Sequence, residues 1–372
     1  MGAGQIKEAE DGFCYGGRPV KREPLGNGHI NDTWCLWTVQ KNGTCRRAVL
    51  QKLSRTVFPD PEAVMENVTG ITEFLQKKLR ETGGDAERGT LHLIPARDGR
   101  TFFVDSEGEY WRSYWFIEGA RSLDRVEKPE DFYESALAFG NFQRMLSDYP
   151  AWTLRETIPG FHDTKARVAA LEEAVQKDAA GRVCLALPEI QFVRERAETA
   201  GILETLRAEG KLPLRVTHND TKLNNVLLDE TTGKGLCVID LDTVMPGLAV
   251  NDFGDSIRFG ASTAEEDEQN LDRVSCSMEL FEIYTQGFLK GCGQSLTETE
   301  IRMLPLGAKM MTFECGVRFL ADFLEGDVYF KTSRKGQNLD RCRTQFKLVK
   351  DMEEKWDTMA AIVETCRQEI IY

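Results

Sequence analysis

Between His218 and Asp242 the chain reads H-N-D-T-K-L-N-N-V-L-L-D, a short turn, then L-C-V-I-D-L-D. His218, Asp220, Lys222 and Asn225 fall at the spacing H-x-D-x-K-x-x-N, and Asp240 closes an apolar strand fifteen residues after Asn225. That set of residues can carry phosphoryl transfer. The reaction asks for a carboxylate to accept the proton of an attacking hydroxyl, and for one or two Mg²⁺ ions to neutralise phosphate charge. Mg²⁺ takes hard oxygen ligands, which an amide oxygen and a second carboxylate supply. Asp220 is the candidate base, Asn225 and Asp240 are the candidate metal ligands, and Lys222 is placed to meet the transferred phosphoryl group. An H-x-D triplet alone recurs by chance, and a carboxylate ending a strand commonly forms a turn or caps a helix. Four polar positions in register, then V-L-L, a G-K-G turn and C-V-I-D, form a far rarer combination. Asp242 stays open between a second metal ligand and a structural carboxylate.

Such a site needs a cover for its nucleotide, and the first third of the chain has the pattern of one. Residues Glu23 to Leu53 read as an antiparallel β unit. Gly26 and Gly28 stand in the turn G-N-G-H-I-N-D-T, where backbone N–H groups could lie over phosphates; an ordinary hairpin is the alternative. Trp34 to Val39 is an apolar strand, Lys41-Asn42-Gly43 a hairpin turn, and Arg47 to Leu53 the returning strand. Within it, Val49-Leu50-Gln51-Lys52 matches V-A-I-K, whose lysine reaches the nucleotide phosphates. A solvent-facing strand lysine is the alternative for Lys52.

After Pro59-Asp60-Pro61 a helix is predicted through Leu79, with apolar residues at 64, 65, 68, 71, 74, 75 and 79. A glutamate from this helix would fix the lysine; Glu66 is the choice and Glu62 its rival. Strands follow near Leu91 to Pro95 and Thr101 to Val104. Glu109 to Ile117 then runs into Glu118-Gly119-Ala120, a hinge whose backbone would meet the adenine edge. The expected division is a nucleotide-binding lobe over residues 1–118 and a catalytic and substrate-binding lobe over 119–372.

The remainder reads as helical around the two catalytic hairpins, with helices near Glu130 to Ser147, His162 to Asp178, Pro188 to Glu209, Glu265 to Lys290, Glu298 to Leu324 and Asn338 to Glu369. Asp252-Phe253-Gly254 spells D-F-G, a metal-binding tripeptide elsewhere, but it lies 27 residues beyond Asn225. Pro246-Gly247 and Asn251 predict a loop there, in which Asp252 and Asp255 brace the catalytic loop through hydrogen bonds.

Composition sets outer limits. The chain has 372 residues, 41% hydrophobic and 29% charged, as a globular enzyme of two lobes would. A formal net charge of −13 argues against a nucleic-acid surface, so an anionic nucleotide has to be held locally. No signal-peptide core and no membrane-spanning run are apparent, and the ten cysteines are scattered. The expectation is a cytoplasmic protein with reduced thiols. The sequence is silent on oligomeric state.

H-x-D-x-x-x-x-N followed by I-D on a strand resembles the aminoglycoside phosphotransferase and choline kinase branch of the kinase-like fold. Within that branch, G-N-G-H-I-N-D-T, F-I-E-G-A, T-I-P-G-F-H-D-T, T-H-N-D-T-K-L-N-N-V-L and D-F-G-D-S-I-R are similar to the N-acetylhexosamine 1-kinases, from about Leu25 to Phe346. The resemblance implies an α+β, bilobal protein-kinase-like fold, with a small β-rich lobe and a larger helical one. It implies ATP- and Mg²⁺-dependent phosphorylation of the anomeric hydroxyl of N-acetylglucosamine or N-acetylgalactosamine, with Asp220 contacting that hydroxyl. It also implies that Arg318 and Tyr329, in G-V-R-F-L-A-D-F-L-E-G-D-V-Y-F, bind the sugar. From the residues alone, an Arg318–Asp322 pair one helical turn apart is the simpler reading. The family carries Arg as well as Lys at the position of Lys52. Other small-molecule kinases of the branch, and a nucleotide-binding protein without turnover, stay open.

Overall fold

The structure, a computed structural model, describes residues 3–26 and 30–371. A five-stranded antiparallel sheet comes from β1 (Gly17–Pro24), β2 (Asp32–Gln40), β3 (Cys45–Lys52), β4 (Phe103–Val104) and β5 (Tyr110–Trp115), in spatial order β1-β2-β3-β5-β4. Side-chain alternation gives the sheet two faces with different neighbours. Ala48, Leu50 and Trp111 turn to the outer face and form a small core with Ile6, Ala9 and Phe13. The first two of these belong to a helix, α1 (Ala3–Gly12), that the sequence reading did not anticipate. Gln51 and Arg112, paired in register, share the inner face with Tyr114, which packs against the main core. Helix α2 (Pro61–Glu81) covers that core. Asp60 accepts a hydrogen bond from Ala63 N at 3.1 Å, Pro61 opens the first turn, and Val64, Val68, Ile71 and Leu75 are buried.

Past Glu118 and Gly119 the chain is largely helical: α3 (Pro129–Met145), α4 (Thr164–Lys177), α5 (Leu187–Arg194), α6 (Ile202–Ala208), α7 (Ala249–Gly260), α8 (Met278–Cys292), α9 (Glu298–Arg302), α10 (Leu304–Glu325), α11 (Gln337–Glu354) and α12 (Trp356–Ile371). Set among them are β6 (Ala120–Arg121), β7 (Arg215–Thr217), β8 (Val226–Asp229), β9 (Gly235–Val238) and β10 (Met245–Gly247), paired as β6-β8-β9 and β10-β7. This is a small antiparallel lobe joined to a helical one, the bilobal α+β fold expected.

Helix α10 runs through the core of the second lobe and packs against α7, α4 and α11. Its contact with α7 is backbone to backbone. A Cβ on Gly254 would lie 2.3 Å from the Gly307 carbonyl oxygen, and one on Gly307 would lie 2.2 Å from that of Val250. Only glycine permits this approach, which fixes α7 beneath the catalytic loop.

Several boundaries differ from expectation. D-F-G lies inside α7, not in a loop, because Val250, Phe253 and Ile257 recur at helical spacing and are buried, while Pro246-Gly247 ends in β10 before the helix starts. The stretch 188–209 is divided into α5, a 3₁₀ turn and α6. The helix expected from Glu265 begins only at Met278, where Ser277 Oγ accepts from Leu280 N at 3.2 Å; the acidic run 265–268 does not join it. The last two long stretches each split in two, near Met303 and at Lys355. Leu91 to Pro95 forms no strand and contributes a single bridge, Leu93 to Tyr114. All ten cysteines are unpaired, and no helix among the described residues is long and apolar enough to cross a membrane.

Candidate active site

Strand β7 delivers the chain to His218, which is fully buried and packs in T-shaped contact with Phe139 and Phe142. Nδ1 accepts from the Asp220 backbone N–H at 3.3 Å, which leaves Nε2–H to donate to the Ile239 carbonyl at 2.9 Å. One imidazole thus ties the loop of Asp220 to the strand end of Asp240. Asn219 adopts a left-handed backbone (φ 64°), which asparagine tolerates. The loop is held from below by α7. Asp252 accepts from His218 N at 2.9 Å, Asn219 N at 2.8 Å and Gln143 Nε2 at 2.6 Å. Asp255 accepts from Thr221 N at 2.9 Å and is paired with Arg258 at 3.0 Å.

On this base the motif residues converge. Lys222 Nζ lies 2.7 Å from Asp220 Oδ1, and Asn225 Nδ2 donates to the Asp220 carbonyl at 2.8 Å and to Oδ2 at 3.2 Å. Burial alone would raise the Asp220 carboxyl, but the charge and hydrogen bond of Lys222, with His218 and Arg258 behind, bring it below the usual carboxylate range. Asp220 is therefore ionised. Asp220 and Asp255 outweigh burial at Lys222 and keep its ammonium protonated. Asn225, its amide nitrogen engaged, has its amide oxygen left to offer a cation.

Asp240 also has a left-handed backbone (φ 59°). It is hemmed in by protein yet reachable by solvent. Desolvation, then the like charges of Asp242 and Asp220, push it up to about 6. Crowded carboxylates of this kind are short of positive charge, which a divalent cation would supply. No cluster of three or more His, Cys, Asp or Glu that could hold a metal occurs among the described residues. A cation here would rest on one carboxylate, one amide oxygen and phosphate oxygens, as Mg²⁺ commonly does. Asp242, left open by the sequence, is a structural carboxylate. It pairs with Arg112 through Oδ1 and accepts from Asn31 Nδ2 at 2.6 Å through Oδ2.

The nucleotide side departs from expectation. Gly26 precedes β2 with φ +71°, whereas Gly28 lies outside the described residues. Lys52 shares the outer face with Trp111 and pairs with Glu109 at 3.2 Å. Glu66 does not reach it: that side chain is exposed, 3.9 Å from Arg155. Glu62 accepts from the Tyr110 hydroxyl at 3.0 Å instead. The cause is strand parity. Alternation puts Gln51, not Lys52, on the inner face, and the cation there is Arg112. Sequence reasoning missed Arg112 and Asn31, although a lone arginine inside the aromatic strand Y-W-R-S-Y-W was a signal.

Helix α10 carries Arg318. Its guanidinium carbon lies 5.3 Å from the ring of Phe161, 5.5 Å from Phe330 and 5.8 Å from Tyr329. Asp322 is not its partner, because its oxygens accept from Val328 N, Tyr329 N, Phe330 N and Asn338 Nδ2 at 2.7–3.0 Å. Among the described residues no carboxylate stands within 4.0 Å of Arg318. Phe161 also lines a cavity of about 330 Å³ with His162, Glu204, Asn219, Gly247 and Asn251. His162 Nε2, Glu204 Oε2 and Asn251 Oδ1 are buried there without a protein partner. His162 Nδ1 is engaged 2.9 Å from Glu314, and burial raises the Glu204 carboxyl.

The fold is similar to an aminoglycoside phosphotransferase from Alicyclobacillus acidocaldarius (12% identity, 100% of this chain and 96% of that one covered, TM-score 0.58). It is similar also to choline kinase from Cryptosporidium parvum (14%, 93% and 92%, 0.56) and to a microcompartment-associated aminopropanol kinase (16%, 91% and 93%, 0.54). The APH profile of the phosphotransferase enzyme family matches residues 21–275, which include His218, Asp220, Asn225 and Asp240, and the chain belongs to that family.

Proposed function

We propose that this phosphotransferase is an ATP- and Mg²⁺-dependent kinase that phosphorylates the anomeric hydroxyl of N-acetylglucosamine or N-acetylgalactosamine. Arg318 carries the acceptor class: a guanidinium with no carboxylate partner among the described residues, set among three aromatic rings, one of which lines the cavity that Asn219 also lines, suits ring hydroxyls, an acetamide oxygen and the apolar face of a sugar. ATP lies between the lobes, which divide at 118/119, on the side of Gly26. Mg²⁺, when bound by Asn225 and Asp240, neutralises phosphate charge. Asp220 orients the acceptor hydroxyl and takes its proton as the oxygen bonds to the γ-phosphorus and the bond to ADP breaks. Lys222 holds Asp220 ionised and stands beside the transferred group. Little covalent work falls to the protein in such a transfer, and positioning dominates. An anomeric hydroxyl is more acidic than an ordinary alcohol, so a carboxylate held below its usual range suffices. A cytoplasmic location is part of this reading, and ten unpaired cysteines and the use of ATP support it. The net charge of −13 supports small-molecule partners over nucleic acid.

A second reading rests on the cavity. Its unpartnered atoms include a carboxylate, Glu204, with Glu156 and Asp163 on the same walls, and these would suit an amino alcohol or aminoglycoside. Incubation with ATP, Mg²⁺ and a panel of sugars and amino alcohols, followed by ³¹P NMR of the product, separates the two. Phosphate at C1 of an acetylated sugar is expected. Phosphate on an amino alcohol alone supports the second reading, and no ADP release with any acceptor overturns both.

A further inference from the structure

A kinase needs a cation on the nucleotide side as well as a metal, and strand parity removes Lys52 from that role. Arg112 replaces it in space. Its side chain is 3% exposed and reaches from β5 into the region of the catalytic turn. Nε donates to Gln51 Oε1 at 2.8 Å and Nη1 to Asp242, two residues from Asp240. Nη2 has no protein acceptor among the described residues. Nη2 is also not among the buried unpartnered atoms, so this one edge of an otherwise buried guanidinium keeps contact with solvent and is open to an incoming acceptor. Gln51 completes the picture. It stands at the inner-face position of β3, where kinases place the phosphate-binding lysine, and it offers the Arg112 Nε an acceptor instead of a charge. It is itself anchored through Nε2 to Thr33 Oγ1 at 3.0 Å. Asn31, just before β2, donates to the other oxygen of Asp242 at 2.6 Å, so β5 and the residue leading into β2 meet at this one carboxylate in the turn after Asp240.

We propose that Arg112 is the phosphate-binding cation of this enzyme, keeping Nη1 on Asp242 while its Nη2 edge meets the nucleotide's phosphate oxygens. The planar fork of arginine can serve a carboxylate and a phosphate from separate edges, which a lysine ammonium does less well. The assignment rests on the ATP-kinase reading but not on the identity of the acceptor.

The test is calorimetric binding of Mg·ADP and of adenosine, which carries no phosphate, with no turnover involved. Arg112→Gln alone would strand a buried carboxylate, so the informative variant is Arg112→Gln/Asp242→Asn, with Asp242→Asn as its control. Loss of a charge-assisted contact predicts ADP binding weakened about 10- to 150-fold in the double variant. Adenosine binding should be unchanged there, and ADP affinity should be retained in Asp242→Asn. If the double variant does not fold, Arg112→Lys keeps the charge but loses the second edge, and should show the same selective loss for ADP. A variant lacking Arg112 that binds ADP as the wild type does, or an Asp242→Asn control that loses as much, overturns the assignment alone. A wild type that binds neither ligand overturns the kinase reading with it.

Discussion

Two pairs of aspartates lie within 36 residues of each other, and their surroundings give them opposite work. Asp252 and Asp255 sit on α7 beneath the loop, buried, with their oxygens committed to the backbone N–H groups of His218, Asn219 and Thr221, to Gln143 and to Arg258. Asp220 and Asp240 sit above. Asp220 keeps 27% of its side chain exposed, and no protein hydrogen bond reaches the Asp240 carboxylate among the described residues. A carboxylate surrounded by donors is scaffold. One that keeps an open side, as Asp220 does beside Lys222 and Asn225 and Asp240 does among like charges, is a place for a proton or a cation. The tripeptide spelling D-F-G falls in the first class because its helix turns Asp252 toward the backbone it supports.

The sharpest way to break this contrast is at Asp240. Asp240→Asn, chosen because asparagine tolerates the left-handed backbone, should reduce turnover to background and abolish Mg²⁺-dependent ATP binding. It should leave the melting temperature unchanged or higher, since a repelled charge is removed. Asp220→Asn should follow, with kcat lower by about 10²–10⁴ and ADP affinity kept. Near-normal turnover in either variant would move the chemistry elsewhere. Asp252→Ala should behave in the opposite sense. It strands three buried donors at about 1–3 kcal/mol each, so melting shows the main loss and turnover per folded molecule falls less than in Asp240→Asn. If Asp252→Ala proves the more damaging to metal dependence, the two pairs have been assigned the wrong way round.

Arg318 extends the contrast to the acceptor side. Because Asp322 is committed to the 328–330 backbone, Arg318→Ala should cost little stability. It should lower kcat/KM for the acetylated sugars about 10- to 150-fold, the value of a charge-assisted hydrogen bond, with KM for ATP unmoved. A fall in melting temperature without a change in acceptor KM would return Arg318 to the structural role that its spacing from Asp322 suggests.

What the sequence revealed follows from the range of the forces involved. The catalytic loop is local: spacing alone brings Asp220, Lys222 and Asn225 together, so they were legible. The brace by Asp252 and Asp255 was also legible as a role, although its helix was read as a loop because Pro246-Gly247 weighed more than the apolar positions of α7. Strand parity at Lys52 was not legible. V-L-Q-K aligns with V-A-I-K, yet the face each residue takes depends on pairing with β5 and on α1 covering the opposite side. Arg112 and Asn31 reach Asp242 from 130 and 211 residues away, and no window of sequence contains both ends. Helix breaks at Met303 and Lys355 were lost for a related reason: the periodic pattern continues through them, and tertiary packing decides the break.

The smallest effect is expected where the sequence pattern pointed most directly. Lys52 and Glu109 keep 20% and 29% of their side chains exposed, and such partly solvated pairs contribute about 0–1 kcal/mol. Lys52→Ala should therefore lower stability by less than about 1 kcal/mol and change KM for ATP by no more than about twofold, or ~0.4 kcal/mol. The contrast with Arg112 is one of faces. The two residues lie on adjacent strands, one register step apart, and point to opposite sides of the same sheet. Were Lys52→Ala to weaken ATP binding 100-fold, the lysine would have to reach the cleft when nucleotide binds. That would require β3 to rotate its outer face inward, breaking the packing of Leu50 and Trp111 with α1. Burial of those two side chains stabilises the present face by several kcal/mol, at about 25 cal/mol per Å² of apolar surface. A twist that large is the more expensive route to a cation, and Arg112 already stands where one is needed.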